Sequence, residues 1–466
     1  MNKLVTQACQ QDMALVEKYA RSGPRYTSYP TAPQFGEQFP IDSYLADARS
    51  HQLGALSLYV HIPFCQDICY YCACNKIVTR EQGAAQRYLA SLRKEIAMQA
   101  ELHGRRRPVR QMHWGGGSPT YLDNAQVTEL MHDLASHFTL MDSGTREYSV
   151  ELDPRTTAPG AIPLMKGLGF NRVSLGIQDF DPLVQKSINR VQPYKMVRKL
   201  VEEIRHYDYR SLSFDLIYGL PHQDSITMAD TLQKVIKLRP DRIACFNYAH
   251  LPERFKSQRA IDRLTLPLAS DKLQLQWQIA ETLQAAGYLH IGLDHYVLPG
   301  DDLAVAQREG NLQRNFQGYS LLLADDLVGM GVSSISQVGD YYVQNARSLE
   351  DYYADLARGE LPIHRGYRTS SEDRLRRHVI MSLICNLSLD LASCQLPDGT
   401  SFWQHFGQES AALEEMQTDG LVALEENRIS ITEQGRPFLR NVCMVFDQYL
   451  NPPEAAANTP RYSAVI

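Results

Sequence analysis

The chain has 466 residues, of which 44% are hydrophobic and 21% are charged, so it can bury a large core and is neither a disordered nor a fibrous protein. Its formal net charge of −6 gives no general attraction to nucleic acid or to an anionic membrane surface. No run approaches the roughly 18 apolar residues that span a bilayer, and polar residues interrupt the N-terminal stretch before a secretory signal can form. We therefore expect a cytoplasmic protein that binds neither nucleic acid nor membrane, and we expect it to be a monomer.

Residues 1–55 form the first predicted region. They lack strand periodicity but contain GPRYTSYPTAPQF (23–35), a stretch rich in Pro and Tyr that we expect to be extended. We predict that this segment lies over another surface of the protein.

Residues 56–364 alternate short β-rich runs with helical segments, the pattern of βα units around a parallel sheet. The predicted strands are Leu56–Ile62, Gln111–Trp114, Tyr148–Leu152, Arg172–Ile177, Leu212–Tyr218 and Ile243–Tyr248. Six units are fewer than the eight of a TIM barrel. We therefore predict an α/β fold with a partial (βα)6 TIM-like barrel, and a doubly wound sheet is the alternative.

Unusual residues cluster just beyond the carboxyl ends of these predicted strands. Cysteines follow the first strand, GGGSPT (115–120) follows the second, Glu151 ends the third, Gln178 follows the fourth and Asp215 lies in the fifth. In parallel α/β folds this edge binds ligands. The sequence therefore predicts one site at this edge.

Residues 365–450 are predicted to form a mostly helical C-terminal domain. SSEDRLRRHVIMSLICNL opens with a helix-start signal, and DGLVALEENRISITEQGRPFLRN indicates a hairpin between helices, as in a winged helix. Basic residues are sparse in this hairpin, so we do not expect it to bind DNA. Residues 451–466 have the composition of a linker-like tail.

Four of the nine cysteines lie within ten residues, which is unlike a disulfide framework. Cys65, Cys69 and Cys72 have C-x3-C-x2-C spacing, which returns to one side of a tightly wound loop, whereas Cys74 is predicted to point away. Three thiolates suit an iron-sulfur cluster or zinc. Zinc would need a fourth ligand and usually a second, distant ligand pair, and no such pair is present, so the spacing favours a cluster with one open iron.

An open iron can chelate the amino and carboxylate groups of a methionine moiety. S-adenosylmethionine (SAM) offers both groups beside its sulfonium, and an electron delivered through the cluster can cleave it to a 5′-deoxyadenosyl radical. The sequence therefore indicates radical chemistry as the use of this loop.

The segment YVHIPFCQDICYYCACNK (59–76) resembles the signature of radical SAM enzymes, in particular the family of oxygen-independent coproporphyrinogen III dehydrogenases. The similarity extends over almost the whole chain. Supporting stretches are GPRYTSYPTA (23–32), HWGGGSPTYL (113–122), VELDP (150–154), GIQDF (176–180), FDLIYGLP (214–221), FNYAHLP (246–252), QREGNLQRNFQGY (307–319) and GMGVSSIS (329–336).

The resemblance implies specific roles for matching positions. Cys65, Cys69 and Cys72 would ligate one 4Fe-4S cluster, and the SAM bound to it would contact Tyr59, Gly116, Glu151 and Ile335. A second SAM would contact Tyr71, Gly117, Ser118, Gln178, Arg190, Asp215 and Ala249. Positions that match residues important for activity are Tyr59, His61, Cys74, Phe316 and Gln317.

The implied activity is oxidative decarboxylation of two propionates of coproporphyrinogen III to vinyl groups, giving protoporphyrinogen IX with an unidentified electron donor. The alternative is a related haem chaperone that keeps the cluster motif but has no such activity. Cys74 and the RYTSYPTA segment favour the dehydrogenase. Arg25, Arg308 and Arg314 are candidate clamps for the substrate carboxylates, and the N-terminal segment is a candidate lid.

Overall fold

The computed structural model describes residues 14–50, 52–81, 83–321, 326–397 and 399–450. The predicted tail, 451–466, and the first thirteen residues of the predicted N-terminal segment lie outside the described residues. Among the described helices, none is long and apolar enough to cross a lipid bilayer.

Seven parallel strands form the centre of the fold. They are β1 (Leu56–Ile62), β2 (Pro108–Gly116), β3 (Glu147–Leu152), β4 (Arg172–Gln178), β5 (Ser211–Tyr218), β6 (Arg242–Asn247) and β7 (Asp326–Met330). Their order is β6-β5-β4-β3-β2-β1-β7. The predicted α/β fold with six βα units is therefore confirmed, and β7, which was not predicted, pairs with β1.

Antiparallel strands extend both edges of this sheet. His295–Val297 and then Leu289–Gly292 continue beyond β6, while Ile335–Val338, Tyr341–Asn345 and Ile363–Arg368 continue beyond β7. Within the described residues β6 and β7 do not pair with each other, so the barrel is open.

Alternation along the strands separates the core from the interior of the barrel. In β1, Leu58, Val60 and Ile62 are fully buried in the main hydrophobic core, whereas Tyr59 and His61 lie on the opposite side, because successive side chains of a strand point to opposite faces. The helices that follow the strands and contribute to this core are Gly83–His103, Asn124–His137, Ala161–Gly167, Tyr194–His206, Ser225–Leu238 and Ala269–Ala285.

The C-terminal region has its own hydrophobic core. Its longest helix, Ser371–Asn386, begins with a capping box in which Ser370 and Asp373 satisfy each other's backbone amides. Helices Phe402–His405, Gly407–Thr418 and Leu439–Val445 surround an antiparallel sheet of Ser388–Asp390, Arg428–Ile431 and Val422–Glu425. Strands Val422–Glu425 and Arg428–Ile431 form the hairpin predicted from the sequence.

The N-terminal segment packs against this C-terminal core. Tyr26 and Tyr29 are buried in it, and helix Ile41–Ser50 lies beside helix Gly83–His103. Shorter elements near the barrel include helix Pro182–Ser187, helix Asp302–Arg308, the hairpin Gln313–Asn315 with Gly318–Ser320, and helix Leu349–Arg358.

Candidate functional site

A cavity of about 490 Å³ lies inside the curved sheet and opens at the carboxyl ends of the strands. Thirteen of the predicted site residues line it. They are Cys65, Cys69, Tyr71, Cys72, Cys74, Gly116, Gly117, Ser118, Glu151, Gln178, Arg190, Asp215 and Gln317. The structure thus brings the cysteine loop, the glycine-rich turn and the polar strand ends together.

The cysteine loop is closed by a short parallel pairing of Phe64–Cys65 with Ile77–Val78. At its base the Ile77 amide donates to the Pro63 carbonyl at 2.7 Å. Within the loop the Cys72 amide donates to the Cys69 carbonyl at 3.2 Å. These local bonds hold the three thiols of the motif on one wall of the cavity.

Two guanidinium groups approach the thiols. Arg155 Nη2 and Arg190 Nη1 donate to Cys69 Sγ at 3.4 and 3.5 Å. Burial, together with the nearby Cys72 and Cys69 charges, raises the pKa of Cys65 to about 12. A cationic iron-sulfur cluster would offset this cost of holding several thiolates together, so the donor set fits such a cluster.

The position of Cys74 differs from the prediction. Its thiol donates to Cys72, and this hydrogen bond lowers the pKa of Cys72 to about 6. Cys74 therefore lies against a motif cysteine instead of pointing away, because the loop is not a regular helix. Among the described residues, no three His, Cys, Asp or Glu side chains are grouped closely enough to hold a single metal ion.

The glycine-rich turn runs close to its neighbours. Gly116 has φ +114°, and a Cβ there would lie 2.6 Å from the His61 ring. A Cβ at Gly117 would lie 2.6 Å from the Pro63 carbonyl oxygen. These positions therefore require glycine, because the turn packs directly against the His61 ring and the Pro63 carbonyl at the base of the cysteine loop.

Glu151 is held at the end of β3 by a histidine that sequence analysis missed. His113 Nε2 lies 3.0 Å from Glu151 Oε1, and His113 Nδ1 lies 2.6 Å from Ser149 Oγ. Burial raises the pKa of Glu151, but the hydrogen bond and charge of His113 and the Gly116 amide outweigh it, so the pKa lies below its ordinary value. An anionic Glu151 can accept a hydrogen bond from an amino group.

A weak pattern in the sequence could have identified His113. Gln111 and His113 are two residues apart in β2, so both face the cavity. The His113 ring also stacks on Tyr59 with centroids 5.8 Å apart. An inward alternation of polar residues in a predicted strand would have pointed to it.

His61 bridges the strand to the cysteine loop. Its Nδ1 lies 3.1 Å from the Tyr59 hydroxyl and its Nε2 lies 3.0 Å from the Asn75 carbonyl oxygen. Burial lowers its pKa, so the ring is neutral, with Nε2–H donating to the carbonyl and Nδ1 accepting from the hydroxyl. His61 thus fixes Tyr59 and the end of the loop.

Arg190 crosses the far wall of the cavity. Its Nη1 lies 3.1 Å from Asp153 Oδ2, and its Nη2 donates to the Gly176 carbonyl at 2.7 Å. Gln178, two residues after Gly176, has a left-handed φ of +66°, which turns the chain at the end of β4. This ion pair is buried, so it orients the wall rigidly.

Asp215 lies on the same wall and has no ion pair in the described part of the chain. Ser174 Oγ donates to its Oδ2 at 3.1 Å. Burial, together with the charge of Glu151, raises the pKa of Asp215 to about 7. This carboxyl therefore titrates near neutral pH.

Five predicted site residues, all within the described ranges, do not line the cavity directly. Tyr59 and His61 lie behind Gly116 and His113, as described above. Phe316 packs edge-on against Tyr342 with ring centroids 5.8 Å apart. The Ala249 carbonyl accepts from Gln258 Nε2 at 3.1 Å, and Ile335 lies beside Gly329 of β7.

The three candidate carboxylate clamps occupy different places. Arg25 pairs with Asp294 at 3.3 Å and donates to the carbonyl of Asn247 at the end of β6. Arg314 covers the ring of Tyr319, a cavity residue, at 4.8 Å. Arg308 is exposed and donates to the Pro299 carbonyl, so it does not face the cavity.

Comparisons with known proteins identify two matched regions. Residues 59–235 match the radical SAM superfamily, and residues 369–438 match the HemN C-terminal domain. The chain is 48% identical to the oxygen-independent coproporphyrinogen III oxidase of Pseudomonas aeruginosa, with 98% of each chain covered. It is 44% identical to the protein of that name from Escherichia coli, also with 98% of each covered.

A solved structure gives the same result at the level of the fold. The structure described as coproporphyrinogen III oxidase (HemN) from Escherichia coli, a radical SAM enzyme, superimposes with a TM-score of 0.89. The sequences are 43% identical, and the match covers 94% of this chain and 99% of that chain.

Proposed function

Because the chain belongs to the family of oxygen-independent coproporphyrinogen III oxidases, we propose that it converts coproporphyrinogen III to protoporphyrinogen IX without O2. Two propionate side chains become vinyl groups: each gives one hydrogen atom to the radical derived from SAM and one further electron to an unidentified electron acceptor, and releases CO2. The family predicted from the cysteine signature is confirmed, and the radical SAM superfamily implies a 4Fe-4S cluster and SAM. The observation that carries the proposal is the meeting of the cysteine loop, the glycine-rich turn and Glu151 in one cavity.

Cys65, Cys69 and Cys72 are the proposed ligands of the cluster. When bound, the cluster would supply an electron for the reductive cleavage of SAM, and this chemistry would allow hydrogen to be removed from the propionate β-carbon. The Arg155 and Arg190 guanidinium groups donate hydrogen bonds to Cys69 Sγ and so help to position it. The rest of the site binds and orients the reactants.

Glu151 is the proposed acceptor for the amino group of the reactive SAM. His113 fixes the carboxylate and keeps it ionised, and Gly116 lines the same cavity beside it. Tyr59, held by His61, and Ile335 complete this proposed subsite. A positioned anion at this point would hold the amino group without further rearrangement.

A second SAM is proposed beside the first, in contact with Tyr71, Gly117, Ser118, Gln178, Arg190, Asp215 and Ala249. Six of these seven residues line the cavity, and Ala249 follows β6 at its edge. The carboxyl of Asp215 is the proposed partner of a ribose hydroxyl or of a cation. Cys74, Phe316 and Gln317 are the remaining residues proposed to affect activity.

Residues 1–55 are proposed to act as a lid over the barrel of residues 56–364, with residues 365–450 as a third domain and residues 451–466 as a tail. The contacts of Arg25 with Asp294 and with the end of β6 support a lid at the substrate side. Arg25 remains a proposed carboxylate clamp, whereas Arg314 lines a different cavity. We further infer a cytoplasmic monomer that receives electrons from an unidentified donor.

The test is an anaerobic turnover assay of the cluster-loaded protein with SAM, dithionite and coproporphyrinogen III. We expect two CO2 and protoporphyrinogen IX for each substrate consumed, together with 5′-deoxyadenosine. Cys74→Ser should reduce turnover, while Cys394→Ser, a matched change of a partly buried cysteine in the C-terminal region, should not. Stable haem binding without turnover would instead assign the chain to the haem chaperones.

A further inference from the structure

A second cavity of about 600 Å³ lies at the opposite end of the barrel, and we name it the basal cavity. Its walls come from three parts of the chain. Thr27 and Ser28 belong to the N-terminal segment, Gln313–Asn315 to the hairpin, and one face of helix Ser371–Asn386 to the C-terminal region. Ser57 near the start of β1 and Leu327 near the start of β7 form its floor.

The basal cavity is well separated from the cysteine loop. Ser57 lies at the start of β1, whereas the cysteine loop follows Ile62 at its end. Five residues at a rise of about 3.3 Å each place these two points about 17 Å apart. The two cavities are therefore different sites, with the hairpin of Gln313–Ser320 between them.

Positive charge dominates the lining of the basal cavity. Arg314, Arg374, Arg377 and Arg428 contribute four guanidinium groups, while Asp390 is the one carboxylate among the described lining residues. Burial lowers the pKa of the lining His378, so this ring adds no charge near neutral pH. The lining therefore carries an excess of positive charge.

Most of these guanidinium groups lack an acidic partner in the described part of the chain. Arg374 pairs with Asp340 at 2.9 Å. By contrast, Arg377 donates only to the Tyr342 hydroxyl at 3.2 Å, and Arg314 donates to the Tyr26 carbonyl at 3.4 Å. Arg314 and Arg377 are half-buried and Arg428 is exposed, so positive charge that no carboxylate of the described residues pairs with faces the cavity.

Buried polar atoms with unused hydrogen-bonding capacity lie in the same walls. Arg314 Nη1 is buried and has no hydrogen-bond partner. The hydroxyls of Ser28 and Ser57 are also without one, although these residues are only 2% and 0% exposed. Leaving such a donor buried without an acceptor is unfavourable, so a ligand oxygen that accepts its hydrogen bond would stabilise the protein.

We propose that the basal cavity binds a small oxyanion, a molecule that carries phosphate or carboxylate groups, between the guanidinium groups of Arg314, Arg377 and Arg428. Planar guanidinium groups bind both kinds of oxyanion through paired hydrogen bonds. The mixed polar lining suits a compact polar ligand better than a large apolar ring. Because such a ligand would touch all three parts of the chain, it would hold the N-terminal segment and the C-terminal region to the hairpin.

Inorganic phosphate and succinate are the probes, each titrated into the cluster-loaded protein at constant ionic strength with chloride as the balancing ion. Isothermal calorimetry measures binding, and the thermal midpoint measures stabilisation, which rises with ligand concentration when a ligand binds only the folded state. We expect one site for at least one probe. Binding of phosphate alone, of succinate alone or of both identifies the preferred oxyanion.

Arg377→Gln and Arg428→Gln should each weaken this binding at least tenfold. Arg428 is exposed on its strand, so its substitution tests the site even if Arg377→Gln impairs folding. Arg198→Gln is the matched control, since Arg198 lies on an outer helix and pairs with Glu202. The proposal is overturned if neither probe binds beyond the effect of chloride, or if both variants bind like the unaltered protein.

Discussion

The carboxyl of Asp215 should make the stability of the protein depend on pH. Burial, with the charge of Glu151 added, raises its pKa from 3.8 to about 7. Well below pH 4 this group is protonated in both the folded and the unfolded states and has no net effect. As the pH rises from 4 to 7, the unfolded state loses the proton first, so the folded state is progressively destabilised, and the effect is constant above pH 7.

The size of this effect follows from the raised pKa. A change from 3.8 to about 7 corresponds to at most about 4 kcal/mol, at about 1.4 kcal/mol for each tenfold change. Asp215 lines a cavity that water can enter, so screening should reduce the effect to about 2 kcal/mol. Asp215→Asn removes the charge and keeps an oxygen that can accept from Ser174.

The assay compares the free energies of unfolding of the unaltered protein and of Asp215→Asn, both without SAM, from pH 4 to pH 9. Asp215→Asn should be about 2 kcal/mol more stable above pH 7, and the difference should shrink as the pH falls. Glu151→Gln should reduce this pH dependence, because it removes one cause of the raised pKa. Asp230→Asn, a change at an exposed helix position, is the control; a pH-independent difference for Asp215→Asn would refute the reasoning.

Three further predictions concern the cavity and its supports. Gly116→Ala should abolish SAM cleavage with little loss of secondary structure, because the new Cβ would lie 2.6 Å from the His61 ring. Release of 5′-deoxyadenosine measures the cleavage and circular dichroism measures the secondary structure; release at the unaltered rate would contradict this prediction. Cys69→Ser should remove the cluster's visible absorption and lower the iron content, since it replaces a proposed thiolate ligand, and full iron occupancy would exclude that role. Tyr352→Phe should lower the free energy of unfolding by about 1–3 kcal/mol, because the Tyr352 hydroxyl donates to the buried Glu95 carboxylate at 2.6 Å. Denaturant titration measures this loss, and an unchanged unfolding midpoint would contradict the prediction.

The sequence alone determined the features that depend on neighbours along the chain. The run Leu56–Ile62 predicted β1 with the bounds that the structure has, because a strand buried on both faces is a short run of mostly apolar residues in the sequence. The start of helix Ser371–Asn386 followed from its capping residues. The spacing of Cys65, Cys69 and Cys72 likewise belongs to one short loop.

Only the tertiary structure decided which distant segments meet. β7 pairs Asp326 with Leu56 across about 270 residues, and no local period announces such a pairing. The hydrogen bond of His113 to Glu151, the contact of Cys74 with Cys72 and the arginines of the basal cavity also depend on packing. Local propensity fixes which residues form strands, but the alignment of strands, and hence the contents of each cavity, comes from burying one shared core.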